Sequence, residues 1–225
     1  MESLNQNAMK IVDFSKSNSL LNKFVAELRD VNIQKDRLRF RRNVERIGEI
    51  MAYEISKDLS YKNEEVRTPL GTTVASIPEN KIVLATIFRA GLPFHQGFLN
   101  YFDEAENAFV SAYRKYKDEE HFDVHIEYLA TPRLDGKTLI IVDPMLATGS
   151  SMELSLNALF TKGRPKTIIV AAIIASKQAV DFISRTFPED KTTLWCAAVD
   201  PELNDHAYIV PGLGDAGDLA FGEKE

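Results

Sequence analysis

The run Leu139-Ile140-Ile141-Val142 has no polar side chain, and three of its four residues are β-branched. A strand with nothing to offer water on either face belongs inside a sheet covered on both sides. Asp143-Pro144-Met145-Leu146-Ala147-Thr148-Gly149-Ser150-Ser151 follows directly, and then Met152, Leu156, Leu159 and Phe160 at the spacing of one helix face. A helix N-terminus carries unpaired N–H groups and a partial positive charge, and glycine lets the backbone approach an anion. The stretch 138–160 is therefore expected to hold phosphate. Ser150-x-x-Glu153 also spells a capping box, a structural use of the serine that is compatible with phosphate binding. The Gly-Lys-Ser/Thr ending of a P-loop is missing, which argues against a triphosphatase.

The same strand-and-helix alternation runs along the chain. Residues 1–17 are polar and short of pattern, and are expected as a loose arm. A helix is expected from Ser19, with Leu20, Leu21, Phe24, Val25 and Leu28 on one face. A longer one carries Phe40, Val44, Ile47, Met51 and Ile55. Its opposite side, with Arg41, Arg42, Glu45, Arg46 and Glu49, reads as a solvated face or a subunit contact. Residues 66–77 read as strand–turn–strand. Core strands are expected at 82–87, 108–113, 124–129, 139–142, 167–175 and 193–199, with a helix capped by Ser176 before the last. The fold class is α/β: a parallel sheet with helices on both faces, an N-terminal helical arm and a C-terminal loop. One domain over 1–225 is expected, divided into arm and helices (1–60), core sheet (80–200) and terminal loop (201–225).

Composition excludes several classes. A net charge of −6 gives no basic face for nucleic acid. No apolar run approaches membrane-spanning length, and the N-terminus lacks the apolar region of a signal peptide, so a cytoplasmic protein is expected. The one cysteine excludes an intrachain disulfide. His121 and His125 sit in a strand-like segment, where their spacing does not favour chelation. Gly212-Leu213-Gly214-Asp215-Ala216-Gly217 matches the dinucleotide fingerprint by letter, but no βαβ unit follows it.

Ligands of open α/β sheets sit beyond the carboxyl ends of the strands. Three strands end in Arg89-Ala90-Gly91, Arg114 and Asp143. Two cations, one carboxylate and an anion-binding turn make a site for a charged, phosphorylated ligand. The glycine-rich segment after Tyr208-Ile209-Val210-Pro211 can present backbone N–H and C=O groups to a flat polar ligand.

Four of these segments together resemble the uracil phosphoribosyltransferases. Residues 142–151 are similar to that family's phosphoribosyl pyrophosphate (PRPP) motif, in its Asp-Pro form. Phe88-Arg89-Ala90-Gly91-Leu92 is similar to its pyrophosphate loop, and Ala112-Tyr113-Arg114 to its second arginine segment. Leu203-Asn204 and residues 208–218 are similar to its uracil-binding loop. The matches run in order from about Leu20 to Gly222. Three positions depart from the family pattern. Ser150 stands where Gly is usual, Pro93-Phe94-His95-Gln96-Gly97 replaces a Met-Asp-Gly type sequence, and Ala207 replaces Gly. A positive φ at 150 would strain a serine, whereas a negative one would leave its hydroxyl harmless or useful.

The resemblance implies a type I phosphoribosyltransferase core that joins uracil to PRPP, giving uridine monophosphate and pyrophosphate. Arg89 with the Ala90-Gly91 backbone would hold pyrophosphate, helped by Arg114. Asp143 would bind the ribose hydroxyls, and Pro144, Met145, Leu146, Ala147, Thr148, Gly149, Ser150 and Ser151 would form the rest of the PRPP loop. Tyr208 lies in the uracil loop, where backbone groups of Ile209, Gly214 and Ala216 would read the base. Asp215 would touch both substrates and, with Arg89, act in catalysis. Mg²⁺ would travel on PRPP, with no metal ligand assigned to the protein. The apolar N-terminal helices point to a homodimer or larger homo-oligomer, and GTP is admitted as an effector. Two alternatives stay open: a non-catalytic PRPP- or uracil-sensing regulator, and a phosphoribosyltransferase for another base.

Overall fold

A computed structural model describes residues 8–116 and 122–224, without the side chains of 112–125. In chain order the strands are β1 (Lys10–Asp13), β2 (Tyr61–Thr68), β3 (Gly71–Pro78), β4 (Ile82–Phe88), β5 (Glu106–Tyr116), β6 (Phe122–Ala130), β7 (Thr138–Val142), β8 (Met145–Leu146), β9 (Thr167–Ser176), β10 (Thr192–Asp200), β11 (Glu202–Leu203) and β12 (Ile209–Val210). The helices are α1 (Leu20–Arg29), α2 (Arg37–Ser56), α3 (Gly91–Leu99), α4 (Ser150–Phe160), α5 (Lys177–Thr186) and α6 (Ala216–Phe221).

The main sheet runs β1-β10-β9-β7-β4-β5-β6, and β8 adds to β9. The fully apolar run 139–142 lies in β7, buried between β4 and β9 as its composition requires. Alternate residues of each central strand point to opposite layers. Leu84, Ile140, Val142, Ile169 and Ala171 pack with α1, α2, α3 and α6. Ala85, Leu139, Ile141, Val170 and Ala172 pack with α4 and α5. The chain is thus α/β with helices on both faces.

Two expectations are corrected here. The sheet is mixed: β6 runs antiparallel to β5 at its edge. Only residues 117–121 separate the two strands, and a parallel return needs a dozen residues or more. The loose arm expected over 1–17 contains β1, paired in parallel with β10 from Lys10↔Thr193 to Asp13↔Cys196. An edge strand buries little, and β1 brings only Ile11 and Val12 as apolar residues, so its pattern is weak. Lys10 helps to hold it, pairing with Asp58 and lying over the Trp195 ring.

Strand–turn–strand is correct but short in its first expected bounds. The hairpin β2–β3 pairs from Tyr61↔Pro78 to Thr68↔Gly71 and stands outside the main sheet. Ser19 and Asp36 cap α1 and α2 with their side chains. The apolar stripe of α2 is buried, and α2 crosses α3 at Gly48 and Gly97. A Cβ on Gly97 would lie 2.1 Å from Glu45 O and 2.9 Å from Gly48 Cα, so the two backbones touch.

Candidate active site

The carboxyl ends of β4 and β7 lie side by side, with Thr86 paired to Val142. This register puts Arg89 and Asp143 just beyond neighbouring strands. The Phe88–Arg89 peptide is cis, and α3 starts at Gly91. Gly91 packs on the strand ends: a Cβ there would lie 2.2 Å from Thr86 Oγ1 and 3.3 Å from Val142 O. No side chain fits, so the 88–91 loop is held close to Asp143.

After β7 the chain keeps contact with β9. Asp143 N donates to Ala171 O at 3.1 Å, and Pro144 O accepts from Ile173 N and Ile174 N. Met145 and Leu146 then form β8, pairing with Ile174 and Ala175. The segment read as one turn is therefore anchored along a buried strand before it turns. Asp143 Oδ1 accepts from Met145 N at 3.2 Å, which orients the carboxylate. Ser176 Oγ donates to Ala147 O while accepting from Ala179 N, so one hydroxyl fixes the loop and caps α5.

The turn itself settles the backbone conformation at Ser150. Gly149 is the N-cap of α4, with φ +88° and ψ −12°, and brings no side chain to cap the helix. Ser150 is already helical, so the expected Ser150–Glu153 capping box is not formed. The left-handed residue falls on the glycine, and Ala207 alone among described non-glycine residues has positive φ. Ser150 is therefore free of that strain. Its hydroxyl lies 3.0 Å from Thr148 Oγ1, which also accepts from Ser150 N at 3.3 Å. The α4 N-terminus, with the hydroxyls of Thr148 and Ser150 beside it, leaves helix N–H groups and the positive end of the helix dipole facing this turn.

Arg114 lies on β5 three residues past Ser111, the partner of Phe88, so β5 runs on beyond the end of β4. Its side chain lies outside the described residues, as do His121 and the side chain of His125. His95 is buried in α3, edge-on to Phe109, and Nε2 has no partner among the described residues. Burial lowers its pKa to about 4, so it is a neutral packing residue.

The C-terminal segment lies beside Arg89 and lines a separate cleft. Leu203 and Ile209 pair across β11–β12, and Asn204 Oδ1 accepts from His206 N and Tyr208 N. The Val210–Pro211 peptide is cis. Gly212, with φ +55°, has no room for a Cβ, which would lie 2.1 Å from Ile209 O. Asp215 caps α6: Oδ1 accepts from Gly217 N at 2.8 Å and Asp218 N at 3.0 Å. It also lines a cleft of about 450 Å³ with Gln34, Arg37, Gly214 and Asp218.

Arg89 joins the two halves. Its Nη2 donates to Asp218 Oδ1 at 2.8 Å and its Nη1 to Gly222 O at 3.2 Å. The strand-end arginine and the terminal loop, far apart in sequence, thus adjoin. Ser176 caps α5 as expected from the sequence, but its second bond to Ala147 O was not foreseen, and the contacts of Asp218 and of Arg41 (whose Nη1 donates to Ala220 O at 2.7 Å) were missed by sequence reasoning. Asp218 stood within the recognised loop and was open to notice; Arg41 was read as part of a solvated or subunit face. Among the described residues, no group of three or more His, Cys, Asp or Glu is placed to hold a metal.

Comparison with known proteins follows the same line. The family described as uracil phosphoribosyltransferase matches residues 15–223. A uracil phosphoribosyltransferase of Porphyromonas gingivalis is 65% identical over 216 residues, covering 96% of this chain and 100% of the relative. One of Methanothermobacter thermautotrophicus is 45% identical over 185 residues, 81% of this chain and 83% of the relative. The solved structure of a protein from Aquifex aeolicus superposes with a TM-score of 0.83 at 32% identity, covering 94% of this chain and 98% of that one.

Proposed function

We propose, on the premise that this chain belongs to the uracil phosphoribosyltransferase family, that it transfers the phosphoribosyl group of PRPP to uracil N1, releasing pyrophosphate. The observation that carries this is Arg89, which follows β4 beside the end of β7 that leads through Asp143 to the α4 turn, and which also donates to Asp218 in the C-terminal segment.

In this reading the 5′-phosphate lies on the N-terminus of α4, with Thr148 and the serines around it. Asp143 accepts from the ribose hydroxyls. Its link to Met145 N supports that role, because it fixes the carboxylate above the sheet. Arg89 and the Ala90-Gly91 backbone hold the leaving pyrophosphate, with Arg114 beside them. Bond breaking at C1′ develops positive charge on the sugar and negative charge on the leaving group, so positioned charges lower the barrier. The residues fit Mg²⁺ carried by substrate: Mg²⁺ keeps its waters and needs only one or two carboxylates besides phosphate oxygens, and Asp143 and Asp215 are the carboxylates at hand. Bound there, Mg²⁺ would neutralise the pyrophosphate charge. Backbone groups of Ile209, Gly214 and Ala216 pair with the O and N–H edge of uracil, beside Tyr208. Asp215 Oδ1 serves α6, which leaves Oδ2 to face substrate from the cleft.

The test is uracil-dependent release of pyrophosphate from PRPP with Mg²⁺. PRPP binding without turnover sinks the enzyme in favour of a sensor. A panel of uracil, cytosine, hypoxanthine and orotate tests the base, and equal turnover of a purine refutes uracil. Asp143→Asn and Arg89→Ala should each cut turnover by about 100-fold or more while the fold survives.

The proposal extends to one domain carrying the whole site, a cytoplasmic location and a homodimer or larger homo-oligomer. Exposed Val66, Leu70, Val74 and Ile77 on hairpin β2–β3 support the last, since a second copy would cover them. Sedimentation as a monomer at assay concentration would refute it. GTP as an effector is tested by its addition at limiting PRPP. No helix of the described residues is long and apolar enough to cross a membrane.

A further inference from the structure

The turn after β12 is held from outside by a charge pair that belongs to none of the recognised motifs. Arg29 closes α1 and Asp200 closes β10, 171 positions apart in sequence. Arg29 Nη1 donates to Asp200 Oδ2 and Nη2 to Asp200 Oδ1, both at 2.7 Å. The same Nη1 donates to Gly212 O at 2.9 Å, and Gly212 N donates to Asp200 Oδ2 at 2.9 Å. The pair therefore takes both polar backbone groups of one residue. Next along the chain, Leu213 O accepts from Gln34 Nε2 at 3.3 Å, and that amide also donates to Leu28 O. Asp200 is buried, and Arg29 is mostly covered.

A buried ion pair gives little net stability over an apolar replacement. An apolar pair could not donate to Gly212 O or accept from Gly212 N, so what the charges supply here is loop position. Gly212, like Gly214, has positive φ in this turn, and it is folded back onto Ile209 O. If it shifts, Ile209 and Gly214 shift with it. Recognition by backbone groups tolerates displacements of only about 0.5 Å.

We infer that Arg29 and Asp200 are positioning residues for base recognition, fixing Gly212 so that the backbone groups around it meet the edge of the base. The inference rests on the proposed reading of 209–216 as the uracil loop.

The experiment is steady-state kinetics on Arg29→Ala, Asp200→Asn and Arg39→Ala in the full chain. Arg39 makes a comparable double contact with Glu27 between α2 and α1, with no contact to the loop, and reports a merely structural loss. Hydrogen bonds to charged groups contribute enough that Arg29→Ala should raise the uracil KM by about 10- to 100-fold. The PRPP KM should stay put, and added guanidinium ion should recover the uracil KM. Asp200→Asn, which keeps an acceptor and the side-chain volume, should shift the uracil KM in the same direction. Arg39→Ala should lower the melting temperature and leave the uracil KM unchanged. An unchanged uracil KM in Arg29→Ala, a parallel rise in both KM values without guanidinium rescue, or an equal rise in Arg39→Ala overturns the inference. Hydrogen exchange on the parent protein separates the underlying reading. If uracil with pyrophosphate fails to protect amides 209–216, the base loop itself is wrong. If they are protected and Arg29→Ala is kinetically silent, only the positioning role falls.

Discussion

Replacing Gly149 by Ala places a side chain at the point where the turn after β8 becomes α4. Two costs follow from the geometry. At φ +88° an L-residue loses roughly 1–2 kcal/mol, of which about 0.4–1 kcal/mol is returned by the stiffer unfolded chain. The new Cβ would also lie 2.6 Å from Phe182 Cδ1 and 3.3 Å from Cε1, so the ring or α5 must move. Overpacking of this kind costs about 1–3 kcal/mol. The expected loss is about 3 kcal/mol, or roughly 6–12 °C in Tm for a chain of this size. It is measured by urea unfolding, with PRPP titrated calorimetrically to read the turn. Phe182→Leu in the Gly149→Ala background should return the packing part and leave the backbone part. Ser150→Gly is the contrast: with no positive φ to relieve, it should change stability by about 1 kcal/mol or less and bring no gain in turnover. A Gly149→Ala cost below about 0.5 kcal/mol, or a large gain in turnover from Ser150→Gly, would refute the placement of strain on residue 149.

His95 gives a pH dependence. Burial lowers its pKa from 6.5 to about 4, so its neutral form supports the fold fully above pH 6.5. That support is lost as pH falls towards 4, by roughly 3 kcal/mol in all. Urea midpoints at pH 7 and pH 5 should show the loss in the parent chain and a flatter profile in His95→Leu. Gly97→Ala should be far more damaging than its size suggests, about 3 kcal/mol or more, because α2 and α3 must part at their contact; denaturation midpoints of the purified variant check this. Ala207, at φ +58°, carries the strain that Ser150 escapes. Ala207→Gly should therefore raise stability by roughly 0.5–1 kcal/mol, read as a small increase in Tm, and no gain would place the relief elsewhere.

The parts of the site legible in sequence were those written in contiguous residues. The apolar run 139–142 could only be a central strand, and Asp143 and Arg89 stood at strand ends where α/β sheets bind ligands. The glycines at 212 and 214 marked a backbone-exposed loop. Ser150 and Glu153 show the limit. The spacing fitted a capping box, but one glycine in the left-handed region moved the helix start by one residue and gave the serine hydroxyl to Thr148. A local pattern cannot say which of two adjacent residues takes the unusual backbone angle.

What the sequence determined by itself was the α/β class, the glycine turn between β7 and α4 and the charged strand ends, because each is a short-range consequence of side-chain polarity and period. The tertiary structure alone decided that β1 closes one edge of the sheet. It also decided that Arg89 reaches α6, and that Arg29 and Asp200 clamp Gly212. These are pairings between residues of unremarkable local pattern, many positions apart. Only the register of packed helices and strands brings their hydrogen-bonding groups within 3 Å or so of each other.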